Sequence, residues 1–398
     1  MSFVAPAGIA LSAADLARGA LRSLSETSLQ RLTTRLCLEG ARERAWLVST
    51  GRAAMTVAFE AMKLAARDPH RVEVIFPGYT CYSVPASVQR AGLVPRICDV
   101  DPGTLSPDLD SLAGVDMTRV LAIVSANLYG LPNDLQDIEA FARRHGIFLL
   151  DDAAQGLGAR YQGRAVGSFG DVGLFSFDKG KNITTLQGGV LVADSGAVAD
   201  ALDLAMEQHL AASPSATLPT LLKLPAYALL LRPAFFGAVR RLPLGLGLTP
   251  WETDYPIAPF SRTLAGLALV QLERLTEING TRVRNAARLN EALAGVRGVS
   301  AVRVLPGAEP VYPRYPVLVD AAARADQIAA LERAGIGATA SYPCALIDVP
   351  EVIPRLRGDQ RSTPGAREVA SRILTLPTHG YSPPDLAPRV AAVLAAAA

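Results

Sequence analysis

The sequence predicts an α/β protein with a large domain built on a mainly parallel sheet and a smaller C-terminal α+β domain. The first observation is that short apolar runs alternate with helical patterns from about residue 46 onward. The second is that several of these runs are apolar throughout, as strands buried on both faces are. The third is length, since 398 residues, half of them hydrophobic, suffice for two or three packed units.

Residues 1–45 are predicted to form an N-terminal helical segment. Ser12 is placed to cap a helix that extends to Leu24, with Asp15 three residues further on. The first ten residues are apolar but lack the basic stretch and cleavage site of a secretory signal, so no such signal is expected.

Residues 46–207 are predicted to form the large domain. A helix is expected at Asp134–His145, where an aspartate cap precedes an apolar face and Gly146 ends the helix. The predicted strands are Val72–Phe76, Val94–Cys98, Val120–Ser125, Ile147–Leu150, Val172–Phe177 and Gly189–Val192.

Residues 208–258 are predicted to be a Pro-rich, apolar insertion, and two interpretations of their central part, 215–248, remain open. In the first, the apolar side chains pack on the body of the protein or on a partner subunit. In the second, they form an interfacial surface for a membrane or a lipid-linked substrate. The second depends on apolar residues with arginines alongside, namely Leu229, Leu230, Phe235, Phe236, Arg232, Arg240 and Arg241.

Residues 259–398 are predicted to hold a long helix followed by the small domain. The helix begins near Ser261, and a break is expected at Asn279–Gly280. A strand at Val317–Val319, a helix at Ala325–Ala334 and a last Ala-rich helix follow.

Composition narrows the function classes. Lys and Arg number 39 against 37 acidic residues, a net charge of +2, which argues against nucleic-acid binding as the main function. The four cysteines show no C-x-x-C spacing and no neighbouring histidines, so neither a metal site nor a disulfide framework is predicted, and a reduced, cytoplasmic setting is expected. No uncharged apolar run reaches the ~18–20 residues that span a bilayer.

Polar residues at the ends of apolar strands predict a cofactor site. Asp151 and Asp152 end one strand, and Ser176 ends another, with Lys179 and Lys181 just beyond it. Ligands of open α/β sheets bind at these carboxyl ends. A carboxylate for a pyridinium nitrogen, a hydroxyl for a phosphate and an amine for an aldehyde together suit pyridoxal 5'-phosphate. The helix start within Ser49–Met55 would favour the phosphate anion.

Eight segments fall in the order and spacing of a known family. They are FPGYT, GLVPRICDVDPGTLSPDLDSL, LYGLPNDLQDIEAFARRHG, DDAAQGLGARYQG, GSFGDVGLFSFDKGKN, QGG, LALVQLERL and ILTLP. The sequence thus resembles the DegT/DnrJ/StrS-type aminotransferases. The resemblance implies a fold-type I pyridoxal-phosphate enzyme and a homodimer. It also implies amino transfer from glutamate to a keto-sugar nucleotide.

The resemblance also implies roles for individual residues. Lys181, which stands five residues after the phosphate-binding Ser176 and just before an asparagine, would bind the cofactor covalently, with Lys179 as its chemical rival. Asp152 would pair with the pyridinium nitrogen, and Gln155 would lie near the ring oxygen. The phosphate-cradling turn would be Gly51, Arg52 and Ala53. The residue that stacks on the ring is left open between Cys81 and Tyr82.

Departures from the family pattern weaken the prediction of substrate rather than that of cofactor. Asn127 stands where the family usually has His, Gln187 replaces an acidic residue, and the asparagine motif that reaches a partner's phosphate site is missing. Arg262 or an insertion residue would have to replace that motif. Alternative functions are a transaminase or dehydratase acting on an apolar or lipid-linked substrate, or a non-catalytic regulatory or membrane-associated relative at the inner face of the membrane.

Overall fold

The computed structural model describes residues 3–210, 218–239 and 251–397. The helices are α1 (Ala13–Ser23), α2 (Ser28–Gly40), α3 (Gly51–Ala65), α4 (Ser83–Arg90), α5 (Leu135–His145), α6 (Ala197–Leu210), α7 (Leu218–Leu230), α8 (Pro233–Val239), α9 (Arg262–Glu273), α10 (Leu275–Leu293), α11 (Arg324–Arg333), α12 (Pro364–Arg372) and α13 (Leu386–Ala396). The strands are β1 (Arg44–Val48), β2 (Glu73–Pro77), β3 (Val94–Val100), β4 (Pro107–Asp108), β5 (Val120–Ala126), β6 (Phe148–Asp152), β7 (Arg160–Tyr161), β8 (Arg164–Ala165), β9 (Val172–Ser176), β10 (Gly189–Ala193), β11 (Val299–Ala301), β12 (Ala308–Glu309), β13 (Arg314–Val319) and β14 (Ile373–Pro377).

The large sheet has the strand order β1-β10-β9-β6-β5-β2-β3-β4. Parallel pairings join β9, β6, β5, β2 and β3, whereas β10, β1 and β4 join the sheet through antiparallel pairings. Every residue of β2, β5, β9 and β10 is buried, because helices cover both faces of the sheet. The predicted α/β class with a mainly parallel sheet is therefore confirmed.

Two helices of the N-terminal half begin and end where the sequence predicted. At α1, the Ser12 side chain accepts the Asp15 N–H, and the Asp15 carboxylate accepts the Ser12 N–H, which completes the capping box. At α5, the Asp134 side chain accepts the Asp137 N–H, and Gly146 ends the helix in the left-handed conformation. Local chemistry suffices to place these helix ends.

The C-terminal domain consists of the antiparallel sheet β11-β13-β14 packed against α10, α11 and α13. The predicted break at Asn279–Gly280 was wrong, since α9 ends at Glu273 and α10 continues through both residues. Asn279 is buried in α10, where its amide donates to the Leu157 carbonyl at 2.9 Å. This tertiary contact outweighs the low helix propensity of the Asn-Gly pair.

The N-terminal segment, residues 3–11, joins several parts of the molecule. The Phe3 N–H donates to the carbonyl of Pro233, the first residue of α8, and Val4 pairs with Ile336 of the C-terminal domain. The carbonyl of Ala5 lies 2.8 Å from Nε2 of the buried His379. The segment therefore ties the insertion to the C-terminal domain.

The described part of the predicted insertion forms α7 and α8. α7 packs against α1, with Leu224 and Ala228 buried, while Leu229 and Phe235 are each 46% exposed. Arg240 and Arg241, which the membrane interpretation invoked, lie outside the described residues. Among the helices of the described ranges, none is long and apolar enough to cross a membrane.

Candidate active site

A cavity of about 410 Å³ lies at the carboxyl ends of β6 and β9. β6 ends at Asp152, and β9 ends at Ser176. Parallel strands bring their carboxyl ends to one edge of the sheet, so the two side chains line the same wall. Lys179 and Lys181, in the loop after β9, complete this side of the cavity.

The start of α3 forms the second wall. The Thr50 side chain accepts the Ala53 N–H at 3.0 Å, and the Thr50 carbonyl accepts the Ala54 N–H. The Gly51 and Arg52 N–H groups therefore remain at the helix start to bind an anion. A Cβ on Gly51 would lie 2.9 Å from Ser176 Oγ, so only glycine allows the helix start to approach that hydroxyl so closely.

A buried arginine fixes the loop that carries the two lysines. Arg282 of α10 donates to the carbonyls of Lys181 and Asn182, both at 3.0 Å, and to that of Gly8 at 3.1 Å. Lys179 is exposed, whereas Lys181 is half-buried. The Lys181 charge lowers the pKa of Asp152 against the larger, opposite effect of burial. Lys181 is therefore the lysine that interacts with the carboxylate across the cavity.

The two aspartates at the end of β6 have different surroundings. Asp152 lines the cavity, and its carboxylate accepts the Ala154 N–H at 2.9 Å. Asp151 is fully buried and accepts the Gly167 N–H at 2.6 Å and the Asn127 amide at 2.7 Å. Burial raises the pKa of Asp151 to about 6, against the effect of these donors. Asp151 therefore has a structural role, and Asp152 is the carboxylate available to a ligand.

Arg52 interacts with residues near the end of the predicted insertion. Its guanidinium lies 2.7 Å from a Glu252 carboxylate oxygen and 5.3 Å from the centre of the Tyr255 ring. The Tyr255 hydroxyl in turn lies 2.6 Å from Thr56 Oγ1 of α3. The end of the predicted insertion thus covers the start of α3, and Glu252 balances the Arg52 charge.

Aromatic and amide side chains form the remaining wall. Cys81 and Tyr82 both line the cavity, and the Tyr82 hydroxyl lies 3.3 Å from Cys344 Sγ. The Gln155 amide donates to the Tyr342 hydroxyl at 3.4 Å, and its carbonyl oxygen accepts the Tyr129 N–H at 3.1 Å. Gln155 therefore links the large domain to the loop of Tyr342.

The sequence profile of the DegT/DnrJ/EryC1/StrS aminotransferase family matches residues 26–214 and 260–395. The chain belongs to this family. The unmatched stretch between the two blocks overlaps the Pro-rich segment that composition marks as an insertion.

Two curated relatives and one solved structure illustrate the similarity of this DegT/DnrJ/EryC1/StrS family member. The chain is 33% identical over 277 residues to the L-glutamine:scyllo-inosose aminotransferase of Streptomyces griseus, covering 68% of the chain and 57% of that protein. It is 34% identical over 149 residues to a UDP-N-acetyl-3-dehydro-alpha-D-glucosamine 3-aminotransferase of Acidithiobacillus ferrooxidans, covering 37% of the chain and 39% of that protein. The 3-amino-5-hydroxybenzoic acid synthase structure superposes with a TM-score of 0.80 at 20% identity, covering 100% of this chain and 99% of that one.

The first of these relatives is matched over little more than half of its length. The structural match covers both chains almost completely and shares the fold-type I architecture, so the fold is that of fold-type I aminotransferases.

The cavity fits the pyridoxal phosphate on which the family depends. A carboxylate, a reactive amine and an anion-binding helix start face one cavity, which is the donor set that the cofactor needs. Between Gly51 and the Ser176 hydroxyl there is a narrow space that a side chain at position 51 would fill. Of the site residues predicted from sequence, those that line the cavity are Gly51, Arg52, Cys81, Tyr82, Asp152, Gln155, Ser176 and Lys181. Ala53 is buried in α3 away from it.

The sequence analysis missed the cavity residues that come from later parts of the chain. These are Glu252, Tyr255, Arg314, Ser341, Tyr342 and Pro343. They follow no cofactor-like motif and reach the cavity only through the packing of the C-terminal half. Two residues of the cavity wall, Ser341 and Leu186, are non-glycine residues with φ of 61° and 67°, a strained backbone conformation that the sequence does not reveal.

Proposed function

We propose that the protein is a pyridoxal-phosphate-dependent aminotransferase that moves an amino group from an amino-acid donor to a keto sugar. The observation that carries this proposal is the convergence of Lys181, Asp152 and Ser176 on one cavity beside a helix start. Glutamate is the donor expected by resemblance, with glutamine as the alternative.

The residues of the cavity divide the chemistry among them. Pyridoxal phosphate, when bound, supplies an aldehyde carbon and a ring that accepts electron density. Lys181 would hold that carbon, Asp152 would keep the ring nitrogen protonated, and the Gly51 and Arg52 N–H groups with Ser176 Oγ would hold the phosphate. When it is not bound to that carbon, the Lys181 amine would be the base placed to take the proton from the donor α-carbon.

The acceptor is proposed to be a keto sugar, free or linked to a nucleotide. One relative is named for a keto-cyclitol and another for a UDP-linked keto sugar. The cavity of about 410 Å³ is of a size for a sugar-sized ligand and is partly open, which leaves room for a nucleotide outside. The intact Lys181 argues against a family dehydratase, in which histidine replaces this lysine, and against a non-catalytic relative.

Two further parts of the proposal concern assembly. A homodimer is proposed because the resemblance implies a phosphate site completed by a second chain. Peripheral membrane contact through the insertion is the alternative interpretation of 215–248, and exposed Leu229 and Phe235 are consistent with either kind of contact.

The experiment that tests the proposed function is an amino-transfer screen of purified holoenzyme. Glutamate and glutamine serve as donors, and the acceptors are keto-sugar nucleotides and nucleotide-free keto-cyclitols, with products identified by mass spectrometry. Borohydride reduction should fix the cofactor on Lys181, and Lys179→Arg, the matched control, should still be labelled. A label on Lys179, or no labelled peptide and no aminated product, would reject the proposal.

A further inference from the structure

One partly buried cation of the cavity wall has no anionic partner among the described residues. Arg314, the first residue of β13, reaches the cavity from the C-terminal domain and is half-buried. Within residues 3–210, 218–239 and 251–397, its guanidinium forms neither a salt bridge nor a hydrogen bond. A partly buried arginine usually has an anionic partner, so the cavity offers a place for one.

Two of the other cations of the cavity wall interact with carboxylates, and the third, Lys179, is exposed to solvent. Arg52 pairs with Glu252, and Lys181 interacts with Asp152 across the cavity. The groups on which the Arg314 charge acts are instead two tyrosines, Tyr129 and Tyr342, whose pKa values it lowers. Burial raises the pKa of both tyrosines, which keeps them neutral, so neither can serve as the counter-ion.

Arg314 lies next to the loop that carries Lys181. A Cβ placed on Gly180, the residue before Lys181, would lie 3.6 Å from Arg314 Nη2. The arginine therefore lies beside the loop that bears the reactive amine. An anion that it binds must be close to the carbon that gives up the amino group, and in an amino acid that anion is the α-carboxylate, one bond away.

We propose that Arg314 binds the α-carboxylate of the amino-acid donor through its guanidinium fork. The inference rests on the proposed function, since it assigns a donor site in the same cavity. Arginine suits this role because two of its N–H groups match the two oxygens of a carboxylate. The α-carboxylate is common to glutamate and glutamine, so the residue selects for an amino acid and not between these two.

A nucleotide diphosphate is the competing anion. In a nucleotide-linked keto sugar, at least part of the sugar ring separates the diphosphate from the reacting carbonyl carbon. The place next to Gly180 therefore favours the carboxylate, and the experiment distinguishes the two anions by separating the donor step from the acceptor step.

The test compares wild type with Arg314→Gln, Arg314→Lys and Arg303→Gln in the holoenzyme. Arg303 is a matched control, because its side chain is 71% exposed and pairs with Asp101 away from the cavity. The donor half-reaction is followed spectroscopically with L-glutamate and with L-glutamine. The acceptor half-reaction starts from the amine-loaded enzyme. Binding of 2-oxoglutarate, measured by calorimetry, needs no turnover.

We expect Arg314→Gln to raise the dissociation constant of both donors and of 2-oxoglutarate about a hundredfold, with Arg314→Lys intermediate. The acceptor half-reaction and the Arg303→Gln control should change less than threefold. An effect with glutamate but not glutamine would assign Arg314 to the side-chain carboxylate instead and overturn the proposal. So would an effect confined to nucleotide-linked acceptors, or 2-oxoglutarate binding that is unchanged in Arg314→Gln. If the wild type transfers no amino group, 2-oxoglutarate binding still decides whether Arg314 forms a carboxylate site.

Discussion

Asp151 and Asp152 are adjacent in sequence but have different roles, because successive side chains of a strand point to opposite faces of the sheet. The Asp151 side chain accepts N–H groups from the 167–169 loop and stays buried. The Asp152 side chain faces the cavity and the Lys181 charge. A shift of one residue in the register of β6 would exchange the two roles.

Asparagine at these two positions should separate catalysis from stability. Asp152→Asn is expected to retain the fold and lose about 2–4 kcal/mol of transition-state stabilisation, because it removes the carboxylate that we propose keeps the ring nitrogen protonated. Asp151→Asn should instead lower the melting temperature, since one of its N–H donors loses an acceptor. Turnover of Asp152→Asn within about threefold of wild type would show that Asp152 is not the partner of the nitrogen.

Arg282 shows how a residue remote from the ligand can determine the site. Burial lowers its pKa to about 10, yet a guanidinium of that pKa remains charged at neutral pH. It donates to three backbone carbonyls, and each would be left without that donor in a truncated variant. The geometry of the lysine loop thus depends on a side chain that lies a hundred residues further along the chain.

At the scale of elements, the N-terminal segment depends on the buried imidazole of His379. Nε2 donates to the Ala5 carbonyl and Nδ1 accepts the Tyr381 N–H, so the ring is neutral in the folded protein. Burial lowers the pKa of His379 to about 4 from 6.5. Below pH 6.5 the unfolded chain binds the proton and the folded chain does not, so folding stability decreases as the pH falls toward about 4.

Replacement of this histidine should remove that pH dependence. Wild-type apoprotein is expected to lose up to about 3 kcal/mol of unfolding free energy from this group between pH 6.5 and 4. His379→Gln keeps a donor for Ala5 but cannot titrate, so its loss over the same range should be smaller by that amount. Denaturant unfolding at several pH values measures the difference, and parallel curves for the two proteins would contradict the assignment.

The two phenylalanines of α8 test whether the insertion packs on the body of the protein, because one is in contact with it and the other is exposed. The Phe236 ring lies 5.9 Å from the Phe3 ring, centre to centre, whereas the Phe235 side chain is exposed. Phe236→Ser should lower the unfolding free energy by roughly 1–2 kcal/mol, about half the value of a fully buried ring. Phe235→Ser should leave the melting temperature unchanged.

The same pair distinguishes packing from membrane contact. If the insertion binds lipid, wild type should co-sediment with anionic vesicles, and Phe235→Ser should weaken that binding without a change in melting temperature. Absence of vesicle binding by the wild type would eliminate the membrane interpretation. Packing against the body of the protein or a second chain would then remain.

At the scale of the whole molecule, the cavity combines three parts of the chain. The large domain supplies the lysine, the carboxylate and the helix start. The end of the predicted insertion supplies Glu252 and Tyr255, and the C-terminal domain supplies Arg314 and Tyr342. Sites between domains allow the relative position of the domains to control access to the cavity.

A homodimer is expected in solution, with the phosphate site completed by the second chain. Light scattering of the holoenzyme should give twice the chain mass of 41.9 kDa. Dilution to monomer should weaken cofactor binding, because a chain without the second one would lack part of that site. A monomer that still binds the cofactor tightly would contradict this expectation.

The sequence by itself determined the features that depend on local chemistry. The capping residues Ser12 and Asp134 placed two helix ends, and short, largely apolar runs placed the six predicted strands of the large sheet. The parallel sheet then carried Asp152 and Ser176 to one edge, so the cofactor side of the cavity followed from strand ends alone.

Tertiary structure alone decided what depends on contacts between distant residues. The continuation of α10 through Asn279 depends on a hydrogen bond to the Leu157 carbonyl. The positive charge of Arg52 is balanced by the carboxylate of Glu252, which lies 200 residues away in sequence. Arg314 likewise reaches the cavity only because β13 packs beside the lysine loop, and no pattern around it signals that role. A sequence motif specifies the spacing of residues that are close along the chain. Contacts between residues that are distant in sequence depend on how the domains pack.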